Sequence, residues 1–200
     1  MKITIVYDNE ANPGLKSGWG FSCLIERKER LLFDTGDSGE KLIYNMKQLN
    51  IVPETIDKVI ISHNHWDHTG GLKEFLRSNN NAKVFYPKSF SKPTEIFTGV
   101  HSTGALGTFI KEQSLVVDAG KGNVVITGCA HPGLENIIER SRELGKIYGV
   151  VGGFHGFSKL EKLQRIELIA PCHCTQYKQE MKEKYPAQFV EVKAGSIIEI

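Results

Sequence analysis

Apolar residues in this chain fall mostly into short runs of strand period, with a few stretches of helical period between them. Lys2 to Tyr7 alternates and predicts an opening strand, followed by a turn-rich loop from Asp8 to Gly14. Gly20 to Glu26 and Arg30 to Asp34 predict a hairpin about the charged tip Arg27-Lys28-Glu29. Ser38 to Leu49 has apolar residues at 42, 43, 46 and 49, the spacing of an amphipathic helix, with Asp37 or Ser38 as cap. Lys58 to Ser62 is an apolar, β-branched run typical of a buried strand. Leu72, Phe75 and Leu76 give the next helix its stripe, and Ala82 to Tyr86 reads as a short strand.

The second half is built from the same parts. Lys88 to Gln113, with Pro93, Gly99, Gly104 and Gly107, has few periodic apolar positions and reads as a long loop crossing near a site. Lys88, Lys92 and His101 within it either meet an anionic substrate or are solvated loop charges. Ser114 to Val117 and Asn123 to Thr127 predict paired strands. A helix from Pro132 to Leu144, a strand from Ile147 to Val151, a short helix from Ser158 to about Arg165 and a strand from Ile166 to Ala170 follow. A polar helix to about Tyr185 and two closing strands, Gln188 to Val192 and Ser196 to Ile200, complete the pattern.

Composition changes this picture little. Two hundred residues, 40% hydrophobic and 24% charged, suit one domain spanning 1–200. The net charge of +2, with no basic stripe, implies no nucleic acid. No apolar stretch is long enough for a bilayer, and Met1 leads into a strand rather than a signal peptide, so no membrane partner and a cytoplasmic location are expected. Cys23, Cys129, Cys172 and Cys174 lack the spacing of a disulfide framework and are expected to be reduced. On an extended Cys172-His173-Cys174 segment, thiols and imidazole would face opposite ways.

Chemistry concentrates at strand ends. His63-Asn64-His65-Trp66-Asp67-His68 puts three imidazoles and a carboxylate within six residues, just after the Lys58 to Ser62 strand. These residue types at this spacing suit two adjacent divalent ions. His131, His155 and His173 each lie just past another predicted strand, and a sheet that gathers its C-terminal loops on one edge would bring them together. That pattern predicts one convergent metal centre serving a small-molecule substrate. Cys129 is either a thiolate ligand or a buried structural cysteine. His155 is a ligand, a general acid, or part of a structural Gly-Gly-Phe-His turn.

His63-x-His65-x-Asp67-His68 after a core strand resembles the signature of the metallo-β-lactamase superfamily, and Asp34-Thr35-Gly36 resembles its early Asp-Thr-Gly element. Thr127 to Gly133, Gly152 to His155 and Pro171 to Thr175 resemble a narrower branch. That branch holds an archaeal dihydropterin–ribofuranosylaminobenzene phosphate synthase and many metal-dependent hydrolases, and this chain looks short for it. The resemblance implies an α/β fold, a four-layer αββα sandwich, and a binuclear hydrolase acting on a small ester, lactone or phosphoester. The alternatives are a pterin-linked transferase and a non-catalytic metal-binding domain with a degenerate site. Carried over residue by residue, His63, His65 and His131 serve one ion, and Asp67, His68 and His173 the other. Asp67 would also orient the attacking water, and His155 would act as acid. The ions would be zinc, with manganese or iron also compatible, and one or two in number. Where many members carry a bridging Asp, this chain has Cys129. Asp34 either orders the metal-bearing loop or forms a turn after its strand.

Overall fold

The computed structural model describes residues 1–200, which divide into two units: Met1–Tyr86 with Val192–Ile200, and Pro87–Glu191. Each unit holds one six-stranded mixed sheet, flanked by helices.

In the first unit, β1 (Lys2–Tyr7), β2 (Ser22–Glu26), β3 (Arg30–Phe33), β4 (Lys58–Ile60), β5 (Lys83–Phe85) and β12 (Ile197–Glu199) run in the order β12-β1-β2-β3-β4-β5. The hairpin expected about Arg27-Lys28-Glu29 forms, with Glu26 opposite Arg30. Pairing turns parallel at β3-β4-β5, where helical crossovers replace tight turns. The first crossover is α1 (Gly39–Gln48), capped by the Ser38 side chain, with Glu40 in its first turn and Lys47 in its last. Its Leu42 and Met46 pack with Leu24, Leu32, Val59 and Phe75, the last from α3 (Leu72–Ser78). Between β4 and α3 the signature segment itself forms one helical turn, α2 (Trp66–Thr69), which periodicity did not predict.

In the second unit, β6 (Thr94–Phe97), β7 (Val100–Ser102), β8 (Leu115–Asp118), β9 (Asn123–Thr127), β10 (Ile147–Gly153) and β11 (Leu168–Cys172) run in the order β11-β10-β9-β8-β7-β6. Here β6 to β9 are antiparallel and β9-β10-β11 parallel. The crossover α4 (Leu134–Arg142) buries Leu134, Ile137 and Ile138 against Val125, Val150 and Ile169. A polar helix, α5 (Lys178–Lys184), follows β11.

Three local expectations are corrected. Lys88 to Gln113 is not structureless, because β6 and β7 form a hairpin inside it whose strands are too short to show a period. Pro132 precedes α4 rather than entering it, since Gly133, at φ +92°, takes the cap position. Gln188 to Val192 forms no regular strand; Phe189 makes a single bridge to Ile169.

Candidate metal centre

Within the first unit, parallel pairing sets Asp34, just beyond β3, beside Ser62, just beyond β4, and the Asp34 amide donates to the Ile60 carbonyl at 2.9 Å. Asp34 is fully buried. Its Oδ1 accepts from the Ser62 amide at 2.6 Å, and its Oδ2 accepts from Ser62 Oγ at 2.6 Å and from His68 Nδ1 at 2.7 Å. Burial pushes the Asp34 carboxyl pKa up, while the His68 ring and the Ser62 donors pull it part of the way back. While Asp34 is ionised it only accepts hydrogen bonds, and His68 then donates to it from Nδ1.

The same logic reaches the next ring. Ser62 Oγ gives its one proton to Asp34, so His63 Nδ1, 2.9 Å from Ser62 Oγ, must be the donor there. Both imidazoles therefore present Nε2 with its lone pair. Asp67 Oδ2 lies 3.7 Å from His68 Nε2, and the His63 ring stands 4.2 Å from the His68 ring and 4.5 Å from the exposed His65 ring. The segment is held from outside by backbone and hydroxyl groups. Phe21 N donates to Asp67 O at 3.3 Å, and both Thr35 N and Thr35 Oγ1 donate to His68 O. Gly20 lets that strand approach, because a Cβ there would sit 2.5 Å from Asp67 O.

Within the second unit, His131, His155 and His173 follow β9, β10 and β11, which are parallel neighbours, so all three leave the same sheet edge. The residue that organises them is Glu112, which sequence reasoning missed because it falls inside the segment read as a loop. Antiparallel pairing of Leu115 with Ile126 places Glu112 and the Gly128–His131 loop at corresponding distances from the same register point. Glu112 is 1% exposed. Its Oε1 accepts from Thr127 Oγ1 and from the amides of Cys129 and Ala130, at 2.9 to 3.2 Å. Its Oε2 accepts from the His131 amide and from His131 Nδ1, both at 2.9 Å. This third imidazole is thus held in the same Nδ1–H form as the other two. No residue-type signal marks Glu112; only the strand register reveals it.

His155 is exposed, with its ring 5.3 Å from that of His131, and both border a cavity of about 330 Å³ lined further by Phe154, Phe157, Ser158 and Lys159. Lys159 and Glu135 pair there at 2.7 Å, which raises the lysine pKa and lowers the glutamate's. The segment after β11 is not extended: His173 has φ +50°, so the expected alternation of thiols and imidazole does not hold. Asp34, Ala130 and His155 are left-handed as well, which puts four of the five non-glycine residues with positive φ on these strand-end loops, the fifth being Asn50. Such backbone costs on the order of 1–3 kcal/mol per residue and gathers at functional sites.

The model of the metallo-β-lactamase superfamily matches residues 20–102. The 7,8-dihydropterin-6-methyl-4-(β-D-ribofuranosyl)-aminobenzene-5'-phosphate synthase of Methanocaldococcus jannaschii is 27% identical, over 94% of this chain and 92% of that protein. That alignment runs to 269 positions against the 200 residues here, so the relative carries length this chain lacks. Among solved structures, Tm1679, a metal-dependent hydrolase of the β-lactamase superfamily, superposes with a TM-score of 0.81 at 28% identity, covering 100% of this chain and 99% of the other. The metallo-β-lactamase fold protein YhfI of Bacillus subtilis, at 13% identity and a TM-score of 0.72 over 100% and 99% of the two chains, shares the fold.

Proposed function

We propose, for a chain whose residues 20–102 match the metallo-β-lactamase superfamily and which has that superfamily's α/β sandwich fold, a metal-dependent hydrolase acting on a small ester, lactone or phosphoester. The observation that carries this reading is that Nδ1 of His63, His68 and His131 each lies within 2.9 Å of a buried side-chain oxygen, an arrangement that favours the Nδ1–H tautomer. A metal needs neutral imidazole with a lone pair, and second-sphere oxygens of this kind fix that form in advance. The donor chemistry therefore fits a divalent cation. In this proposal His63, His65 and His131 hold one ion and Asp67, His68 and His173 the other. Nitrogen and carboxylate donors suit zinc, and also manganese or iron.

Ions bound there would lower the pKa of water toward about 7 and polarise a carbonyl or phosphoryl oxygen. The chain's own groups supply the rest of the chemistry. Asp67 would orient the attacking water through a carboxylate oxygen. His155, exposed beside His131, would give a proton to the leaving group. The cavity lined in part by Phe154 and Phe157 would take the remainder of a small substrate.

A second reading is favoured by the synthase relative, which is matched over nearly its whole length. In a pterin-linked transferase the same groups would bind a diphosphate leaving group while an arylamine attacks. Incubating zinc-loaded protein with a panel of esters, lactones and phosphoesters, and separately with a pterin diphosphate and an arylamine, distinguishes the two. Chelator-sensitive hydrolysis supports the first reading, and a coupled product supports the second. Hydrolysis that survives chelation would sink both.

A further inference from the structure

Strand β10 ends in Gly152-Gly153, between the ends of β9 and β11, with Gly152 opposite Thr127 and Gly153 opposite Cys172. Neither glycine has a Cβ, and both loops use that space. A Cβ on Gly153 would strike the Gly128 carbonyl and stand 2.8 Å from Cys174 Sγ. The loops leaving β9 and β11 therefore meet across the end of β10. Where they meet, Cys174 Sγ lies 3.3 Å from Cys129 Sγ and 3.8 Å from the Cys129 carbonyl. The two thiols differ in access. Cys129 is 4% exposed, while Cys174 is partly open to solvent. Of the remaining cysteines, Cys23 is fully buried in the first unit and Cys172 is buried within β11.

We propose that Cys129 and Cys174 form a reversible dithiol–disulfide couple, a modification site for low-molecular-weight disulfides. The Cys174 thiolate attacks one sulfur of the small disulfide, whose S–S bond breaks and releases one thiol after protonation. Cys129 then attacks Cys174 Sγ and displaces the second thiol. The two protein thiols lose two electrons and two protons, and the small disulfide gains both as two thiols. Access sets the order, with Cys174 reacting first and Cys129 resolving. Closing 3.3 Å to a bond of about 2.05 Å asks for roughly 1.3 Å of movement, shared between two loops. On the metal reading above, the bond would tie together the loops that carry His131 and His173. The couple itself does not depend on that reading.

The test exposes reduced, metal-stripped full-length protein to glutathione disulfide and follows intact mass and non-reducing peptide maps. Wild type and Cys172→Ser should each lose two hydrogens, gain one Cys129–Cys174 link, retain no glutathione, and recover with dithiothreitol. Cys129→Ser should instead keep one glutathione on Cys174, and Cys174→Ser should react at least tenfold more slowly. Wild type that stops at a stable glutathione adduct, or links any other pair of cysteines, overturns the proposal. Because the readout is mass, a failure of metal binding leaves this result legible.

Discussion

At the scale of single residues, readiness for metal rests on where three imidazoles keep their protons. Asp34→Asn is the sharpest local probe, because asparagine keeps the shape and tolerates the left-handed backbone at φ +57°. Its amide has one acceptor oxygen, so it cannot accept from the Ser62 amide, as Oδ1 does, and also from Ser62 Oγ and His68, as Oδ2 does. Metal affinity is expected to fall about 10–100-fold, measured by competition with a chelating dye. Without metal, burial leaves the folded-state pKa of Asp34 above its unfolded value, so its contribution to stability is present below about pH 4 and is lost as pH rises through the folded value. The urea stability of metal-free wild type relative to Asp34→Asn should therefore decline as pH rises from about 4. A difference that grows instead would contradict that sign. Activity of the loaded enzyme should fall on acidification, because protons compete with the metal for the ligand nitrogens. The Glu135–Lys159 pair in the cavity cannot produce that fall, since pairing moves both of its pKa values away from neutrality.

At the scale of elements, each unit places its chemistry just beyond parallel strands. Gly152 and Gly153 keep the end of β10 open for the loops on either side. Gly153→Ala is expected to cost about 1–3 kcal/mol in urea unfolding, because a methyl group there would push against a backbone carbonyl and a thiol. Unchanged stability would mean that these loops yield easily. The strands were legible because β-branched runs such as Lys58 to Ser62 and Asn123 to Thr127 announce buried strands. The cluster His63 to His68 and the single residues His131, His155 and His173 were legible as strand-end residues because each follows such a run. Glu112 was not legible. A single glutamate in a stretch without periodicity carries no local signal, and only the β8-β9 register brings it beneath the Gly128–His131 loop. The β6-β7 hairpin escaped for a related reason, since strands of four and three residues are too short to show alternation.

At the scale of the whole molecule, the resemblance of His63 to His68 to the superfamily signature pointed to the α/β sandwich, the fold shared with Tm1679 at a TM-score of 0.81. No helix is long and apolar enough to cross a membrane. The chain also leaves the first unit at Tyr86 and returns to it at Val192, so β12 completes a sheet begun by β1. A second unit inserted this way cannot be cut out without two breaks in the chain. The single domain expected from length and composition then implies one calorimetric unfolding transition. Saturating zinc should raise its midpoint, because a ligand that binds only the folded state stabilises it. Two well-separated transitions in the metal-free protein would argue against a single domain.

The most direct test of the metal reading is the number of zinc ions retained per chain after loading and desalting, for wild type and for Glu112→Gln. The variant leaves an acceptor for the Cys129 and Ala130 amides but turns an NH2 group toward His131 Nδ1, favouring the tautomer that cannot bind metal through Nε2. Two ions are expected in wild type, falling to about one in Glu112→Gln with the fold intact by circular dichroism. A wild type that retains none, or a variant that keeps the full complement, would contradict the claim that buried carboxylates prepare these histidines for metal.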